Sequence, residues 1–168
     1  MIAKTLAPVL LAHGALAASL APAEHPIVPP AIINETPSMA RGLYLRVGDA
    51  SAPQVGDIVA TPMNGTARAY LQDRLGYPAP TFLVKRVAAV AGHLVCRQTD
   101  GVRVGARFLP VRATDSRGNR LPVWTGCRRL RSGEVLLVGD APGSFDGRYF
   151  GLTPTRDLTG LYREAVTW

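Results

Sequence analysis

The chain has 168 residues, 47% of them hydrophobic, and 19 lysines and arginines against 12 acidic residues give it a net charge of +7. That length fits one domain with apolar material for a core, which excludes an intrinsically disordered chain. Seventeen glycines and fourteen prolines disfavour a helical bundle and point to a loop-rich, mostly β domain. The positive excess admits an anionic lipid surface or a nucleic acid as partner. The arginines are spread along the chain, with one local cluster at Cys127-Arg128-Arg129-Leu130-Arg131, so the reading is a solvated or lipid-facing surface and no nucleic-acid partner is expected.

At the amino terminus, Lys4 precedes an uncharged apolar stretch, residues 5–23, and Glu24 follows it. Residues 1–24 therefore read as an apolar helix, either a membrane anchor or a cleaved signal segment. Pro8, Pro22 and His13 weaken the span, and Ala21-Pro22-Ala23 has the small-x-small shape of a cleavage site. With Lys4 held inside, everything after Glu24 faces outward, which for a Gram-negative source means an inner-membrane protein with its body in the periplasm. Residues 25–33, with Pro26, Pro29 and Pro30, read as a short stiff linker.

From residue 34 to 168 the pattern is one domain. Apolar, strand-length runs at 42–47, 57–60, 81–90, 107–111 and 134–138 alternate with turn chemistry such as Gly48-Asp49, Asp100-Gly101 and Ser132-Gly133. One helix is predicted over 66–75, closed by Gly76 and with Pro78 beyond it. The two cysteines, Cys96 and Cys127, have neither C-x-x-C spacing nor a companion histidine, so no metal or other cofactor is expected. In an exported domain they could form one disulfide, and in a reduced one they would be two separate buried thiols.

The candidate chemistry begins at Thr36-Pro37-Ser38-Met39. A serine hydroxyl needs a base to attack an amide, and the histidines offer little: His13 lies in the leader, His25 in the linker, and only His93 in the body. Lys85 interrupts an otherwise apolar run, with Phe82-Leu83-Val84 before it and Val87-Ala88-Ala89-Val90 after it. A lysine facing a core loses hydration, which disfavours the ammonium and moves its pKa toward neutrality. The alternatives are a solvated Lys85-Arg86 pair at a strand edge and a Ser38 that only makes a turn.

Three segments occur in order: Thr36-Pro37-Ser38-Met39 followed by Arg41-Gly42-Leu43-Tyr44, then Phe82-Leu83-Val84-Lys85-Arg86-Val87, then residues 139–151, which contain Ser144-Phe145-Asp146-Gly147-Arg148-Tyr149-Phe150-Gly151. In order and spacing the chain resembles the type I signal peptidases, and within them the TraF-type branch of conjugative transfer. The resemblance implies a β-barrel or sandwich catalytic domain in which Ser38 is the nucleophile and Lys85 the general base. It further implies that Thr36 and the Ser38 N–H hold the oxyanion, that Ser144 orients the lysine amine, and that Asp146 and Arg148 pair beneath the site, with Asp140 opening the same loop. Residues 93–132, which hold both cysteines, correspond to a variable non-catalytic insert. The departures are Ala89-Val90-Ala91-Gly92-His93 in place of a Gly-x-Pro-Gly-Asp turn, Gly147 where serine is common and Ala40 where proline is common. The implied substrate is a precursor protein with small residues at the cut, most specifically a conjugative pilin that is cleaved and in some members cyclised. A general signal peptidase is the alternative within the family, and a basic module binding nucleic acid or a membrane is the alternative outside it.

Overall fold

Short apolar runs punctuated by glycine and proline build eleven strands among the described residues of this computed structural model, which are 28–63 and 65–168. The apolar leader expected at 1–24 lies outside the described residues. Seven strands form one antiparallel sheet in the order β1 (Ala31–Asn34), β2 (Gly42–Gly48), β11 (Gly160–Thr167), β3 (Ile58–Pro62), β4 (Phe82–Ala89), β9 (Glu134–Val138) and β10 (Thr153–Pro154). The others form a four-stranded antiparallel sheet in the order β7 (Arg107–Pro110), β6 (Gly101–Val104), β5 (Leu94–Arg97) and β8 (Gly126–Arg129). The mostly β expectation holds, and strands appear at every run read as one.

Strand β1 begins at Ala31, inside the segment read as a linker. Its residues Ala31 to Asn34 pair with Leu45 to Gly42 of β2, and Arg46 N donates to Pro30 O at 2.9 Å. A four-residue edge strand carries little periodicity, so the neighbouring prolines dominated the reading.

The predicted helix is instead two pieces, α1 (Gly65–Arg68) and a wider π-helical turn over Ala69–Arg74. Leu75 N reaches back five residues to Tyr70 O at 3.2 Å, a bond characteristic of such turns. Tyr70 and Leu71 both bury here, packing with Met63. Gly76 follows at φ 73°, the left-handed position that ends a helix.

Strand β4 is central. It lies between β3 and β9 and packs on both faces: Val84 joins Met39, Tyr44, Ala60 and Tyr162, while Val87 joins Ala50, Val59, Val135 and Leu137. This explains why its sequence reads as a continuous apolar run. At its end Gly92, at φ 86°, turns the chain into β5, with His93 N donating to Val90 O at 3.1 Å. A third core, formed by Ala88, Ala89, Leu136 and Val138 with Val95, Val102, Val104 and Leu109, joins the small sheet to the large one.

Residues 93–132 are thus a small β layer. Cys96 and Cys127 lie opposite each other on β5 and β8 and are joined as a disulfide. The segment carries nine arginines against Asp100 and Asp115, and the rest of the chain balances ten basic against ten acidic residues. The entire net charge of +7 therefore belongs to this one layer, a concentration that the impression of evenly spread arginine misses.

Candidate active site

Ser38 lies in the loop between β1 and β2, and one side chain shapes that loop. Asn34, buried at the end of β1, donates through Nδ2 to the carbonyls of Thr36 at 2.9 Å, Met39 at 3.3 Å and Ala40 at 3.0 Å. Its Oδ1 accepts from Thr36 N at 3.3 Å and from Thr36 Oγ1 at 2.8 Å. Tyr44 Oη adds a bond to Ala40 O at 2.7 Å. Met39 is buried in the core and Ser38 beside it is half-buried. The loop is therefore tied down on both sides of the serine.

Lys85 comes from the middle of β4, opposite Val59 in the ladder, and is only 3% exposed. Its Nζ stands 2.8 Å from Ser38 Oγ, and Ser38 Oγ is 3.1 Å from Thr36 Oγ1. Since the Thr36 hydroxyl donates to Asn34, its lone pairs can accept the Ser38 proton while the Lys85 ammonium donates to Ser38 Oγ. Burial pushes Lys85 down from an ordinary 10.5 to about 8; Asp146 and Asp140 pull the other way, and Arg148 adds to the depression.

The third side of the site is the stretch 139–148, between β9 and α2 (Gly147–Phe150). Asp146, fully buried, caps α2 and binds Arg148 bidentately, with Nε to Oδ1 and Nη2 to Oδ2 both at 2.8 Å. Its Oδ2 also accepts Gly139 N at 2.8 Å. Arg148 donates its remaining protons to Pro142 O, Ser144 O and Pro110 O, each at 3.1 Å. The loop in turn touches the backbone of Ser38, with Ala141 N donating to Ser38 O at 3.2 Å. Asp140 faces outward and pairs with Arg86 at 2.7 and 2.8 Å; that pairing holds its carboxyl below the usual range.

Ser38, Lys85, Thr36, Ser144, Asp146, Arg148 and Asp140 are thus brought to one place. Ser144 lines the Ser38 pocket, but its buried Oγ has no hydrogen-bond partner among the described residues, so the expected contact to the lysine amine is not made. Thr36 Oγ1 is committed to Asn34 and would have to turn to reach an oxyanion. The Ser38 N–H makes no hydrogen bond to a described residue.

The site opens into a cavity of about 430 Å³, lined by Ser38 and Lys85 together with Tyr70, Leu71, Leu83 and Phe145. One wall comes from residues 112–121, in the connection between β7 and β8. The insert is therefore not remote from the site, because Tyr70 Oη binds Asp115 Oδ2 at 2.7 Å and draws this connection over the pocket. Sequence reasoning also missed Asn34 and Gly139. The signal for Asn34 was a loop-favouring amide closing a strand just before the serine.

A model of the signal peptidase family, peptidase S26, matches residues 2–168. A plasmid transfer protein TraF of Escherichia coli is 32% identical over 148 residues, covering 81% of this chain and 82% of its own length. A conjugal transfer protein TraF of Agrobacterium fabrum is 35% identical over 150 residues, covering 81% and 82%. Another Escherichia coli plasmid transfer protein TraF is 37% identical over a shorter 92 residues, 52% of each chain. A signal peptidase I from Enterococcus faecalis V583, 20% identical, covers 65% of this chain and 95% of its own at a TM-score of 0.38. The mostly β fold and buried polar site belong to a peptidase. The chain is a member of the S26 signal peptidase family.

Two outcomes test this geometry. A Cβ at Gly139 would overlap Ser144 Oγ and lie 2.6 Å from Ser38 O, so Gly139→Ala should destabilise the protein by about 1–3 kcal/mol in chemical denaturation. The Lys85 ammonium is disfavoured in the folded state below pH 8, a penalty that fades as pH rises from 8 toward 10.5. Lys85→Met should therefore raise stability at pH 7 by up to about 3 kcal/mol, with the gain shrinking at alkaline pH. A gain independent of pH would contradict a depressed Lys85.

Proposed function

We propose that the protein is a membrane-tethered serine endopeptidase that uses Ser38 and Lys85 to process a conjugative precursor, most specifically a pilin with small residues at the cut. The observation that carries this reading is the 2.8 Å approach of the buried Lys85 Nζ to Ser38 Oγ inside a lined cavity. The similarity to TraF proteins of plasmid and conjugal transfer supports the choice of substrate over the broad range of a general signal peptidase. The uncharged stretch 5–23 behind Lys4 supports attachment to the inner membrane with the catalytic body in the periplasm.

The chemistry follows from the protonation states. Neutral Lys85 takes the proton of Ser38 Oγ as that oxygen attacks the scissile carbonyl. The oxyanion forms next to the Ser38 N–H, where a donor aimed at developing charge is typically worth about 3 to 4 kcal/mol. When the tetrahedral intermediate collapses, Lys85 hands the proton to the leaving amine and an ester remains on Ser38. Water, deprotonated by Lys85, releases an acid; if the substrate's own amino terminus arrives first, the product is a cyclic amide and Ser38 is regenerated.

Ser38→Ala and Lys85→Ala should each abolish processing of a co-expressed pilin precursor in protein that remains folded, and retained cleavage in both would refute the pair. In the wild-type protein kcat/KM should rise with pH through a midpoint near 8, because the neutral amine is the active base. Mass spectrometry of the processed substrate separates the two fates: the hydrolysed product carries the mass of one added water, and the cyclic product does not.

A further inference from the structure

The wall contributed by residues 112–121 carries charge that the cleavage chemistry does not use. Arg112 and Arg117 are exposed and line the cavity that holds Ser38. Neither guanidinium makes an ion pair or hydrogen bond to a described residue. The nearby carboxylates are engaged elsewhere: Asp140 by Arg86 and Asp146 by Arg148. Asp115 accepts from Tyr70 Oη, from Asn119 through backbone and side chain, and from the backbone N–H of Arg117 rather than its guanidinium.

The wall is also rigidly attached. Arg112 N donates to Tyr149 Oη at 3.1 Å, Leu121 N donates to Ala113 O at 2.9 Å, and Leu121 packs on the cluster of Met63, Tyr70 and Leu71. Arg148, whose other bonds hold the loop beside Ser38, reaches Pro110 O at the root of the same connection. The backbone carrying Arg112 and Arg117 is therefore anchored at the rim of the cavity, and neither guanidinium is paired with a described residue; the one carboxylate on this wall, Asp115, is held by Tyr70, Asn119 and backbone N–H groups.

We propose that Arg112 and Arg117 form a carboxylate-reading subsite, so that the preferred substrate carries a carboxylate close to the cut, either an acidic side chain or the chain's own carboxy terminus. This inference rests on the reading of the cavity as a peptide site. A guanidinium binds a carboxylate bidentately and reads it more specifically than a neutral amide. For a pair open to solvent the preference is about two- to fivefold.

The test uses fluorescent dodecapeptides centred on Ala-x-Ala, with Glu or Gln at each flanking position, each made as the free acid and as the carboxamide. Binding to full-length Ser38→Ala protein is read by fluorescence anisotropy, so the result does not depend on turnover. At least one Glu peptide, or the free acid over its amide, should bind about two- to fivefold more tightly than its neutral counterpart. The position of the effect distinguishes a side chain from a terminus. The preference should fall toward unity when Arg112→Gln and Arg117→Gln are added, and partly return with Arg112→Lys and Arg117→Lys, which restore charge but not the fork. Equal affinities throughout, no binding of any peptide, or a preference that survives both glutamines overturns the proposal. Wild-type cleavage of the neutral peptides without charge preference would sink this inference and leave the peptidase reading standing. A carboxylate preference in binding with no cleavage of any peptide by the wild type would do the reverse.

Discussion

The buried pair of Asp146 and Arg148 is the constraint on which the rest of the site depends. Two charges removed from water are tolerable only when every lone pair and proton is used, and here they are spent on the backbone of one loop. Asp146 caps α2 and takes the Gly139 N–H, while Arg148 binds the carbonyls of Pro142 and Ser144. The loop is thereby drawn tight enough for Ala141 to reach the Ser38 carbonyl and for residue 139 to have no room for a side chain. An apolar pair of equal volume could fill the same space, but it would leave those backbone groups unsatisfied. The ion pair thus acts as a template for loop shape, which a hydrophobic plug could not be.

The same pair sets the electrostatics of Lys85. Burial alone disfavours the ammonium, and a lone buried carboxylate nearby would restore it. Asp146 comes with its own counter-ion, so its pull on Lys85 is offset by the push from Arg148, and desolvation remains the largest influence. Lys85 therefore stays depressed to about 8 beside a carboxylate that the loop needs and that Arg148 neutralises. The π-helical turn and the disulfide-linked small sheet lie outside this balance. The turn lines the cavity through Tyr70 and Leu71, and the small sheet carries the connection that supplies residues 112–121 of its wall.

Much of this was legible in the residues. The runs at 42–47, 57–60, 81–90, 107–111 and 134–138 became strands because each is apolar, strand-length and bounded by turn residues. Lys85 was conspicuous because a charge in the middle of a run buried on both faces has few structural justifications. The roles expected of Thr36, Ser144, Asp146 and Arg148 came from the resemblance, since nothing in their spacing says that two of them meet beneath a loop. Strand β1 was obscured by Pro29 and Pro30, whose strong local preference masked a short edge strand held by its pairing with β2. Asn34 gave no periodic signal as an organiser, only that of a loop-favouring amide, because its five bonds go to backbone and to a threonine within six residues.

The insert was misjudged for a more general reason. The resemblance makes residues 93–132 a variable, non-catalytic insert, and a segment free to vary suggests one remote from function. The structure separates those two ideas. The contact between Ser38 and Lys85 rests on the β1–β2 loop, on β4 and on the stretch after β9. The wall of the cavity is supplied by the connection between β7 and β8, anchored by Tyr70 to Asp115 and by Arg148 to Pro110. Between its anchors at Pro110 and Asp115 this connection carries the exposed side chains of Arg112, Ala113 and Thr114. All the net positive charge of the chain lies in residues 93–132, the segment that contains this connection.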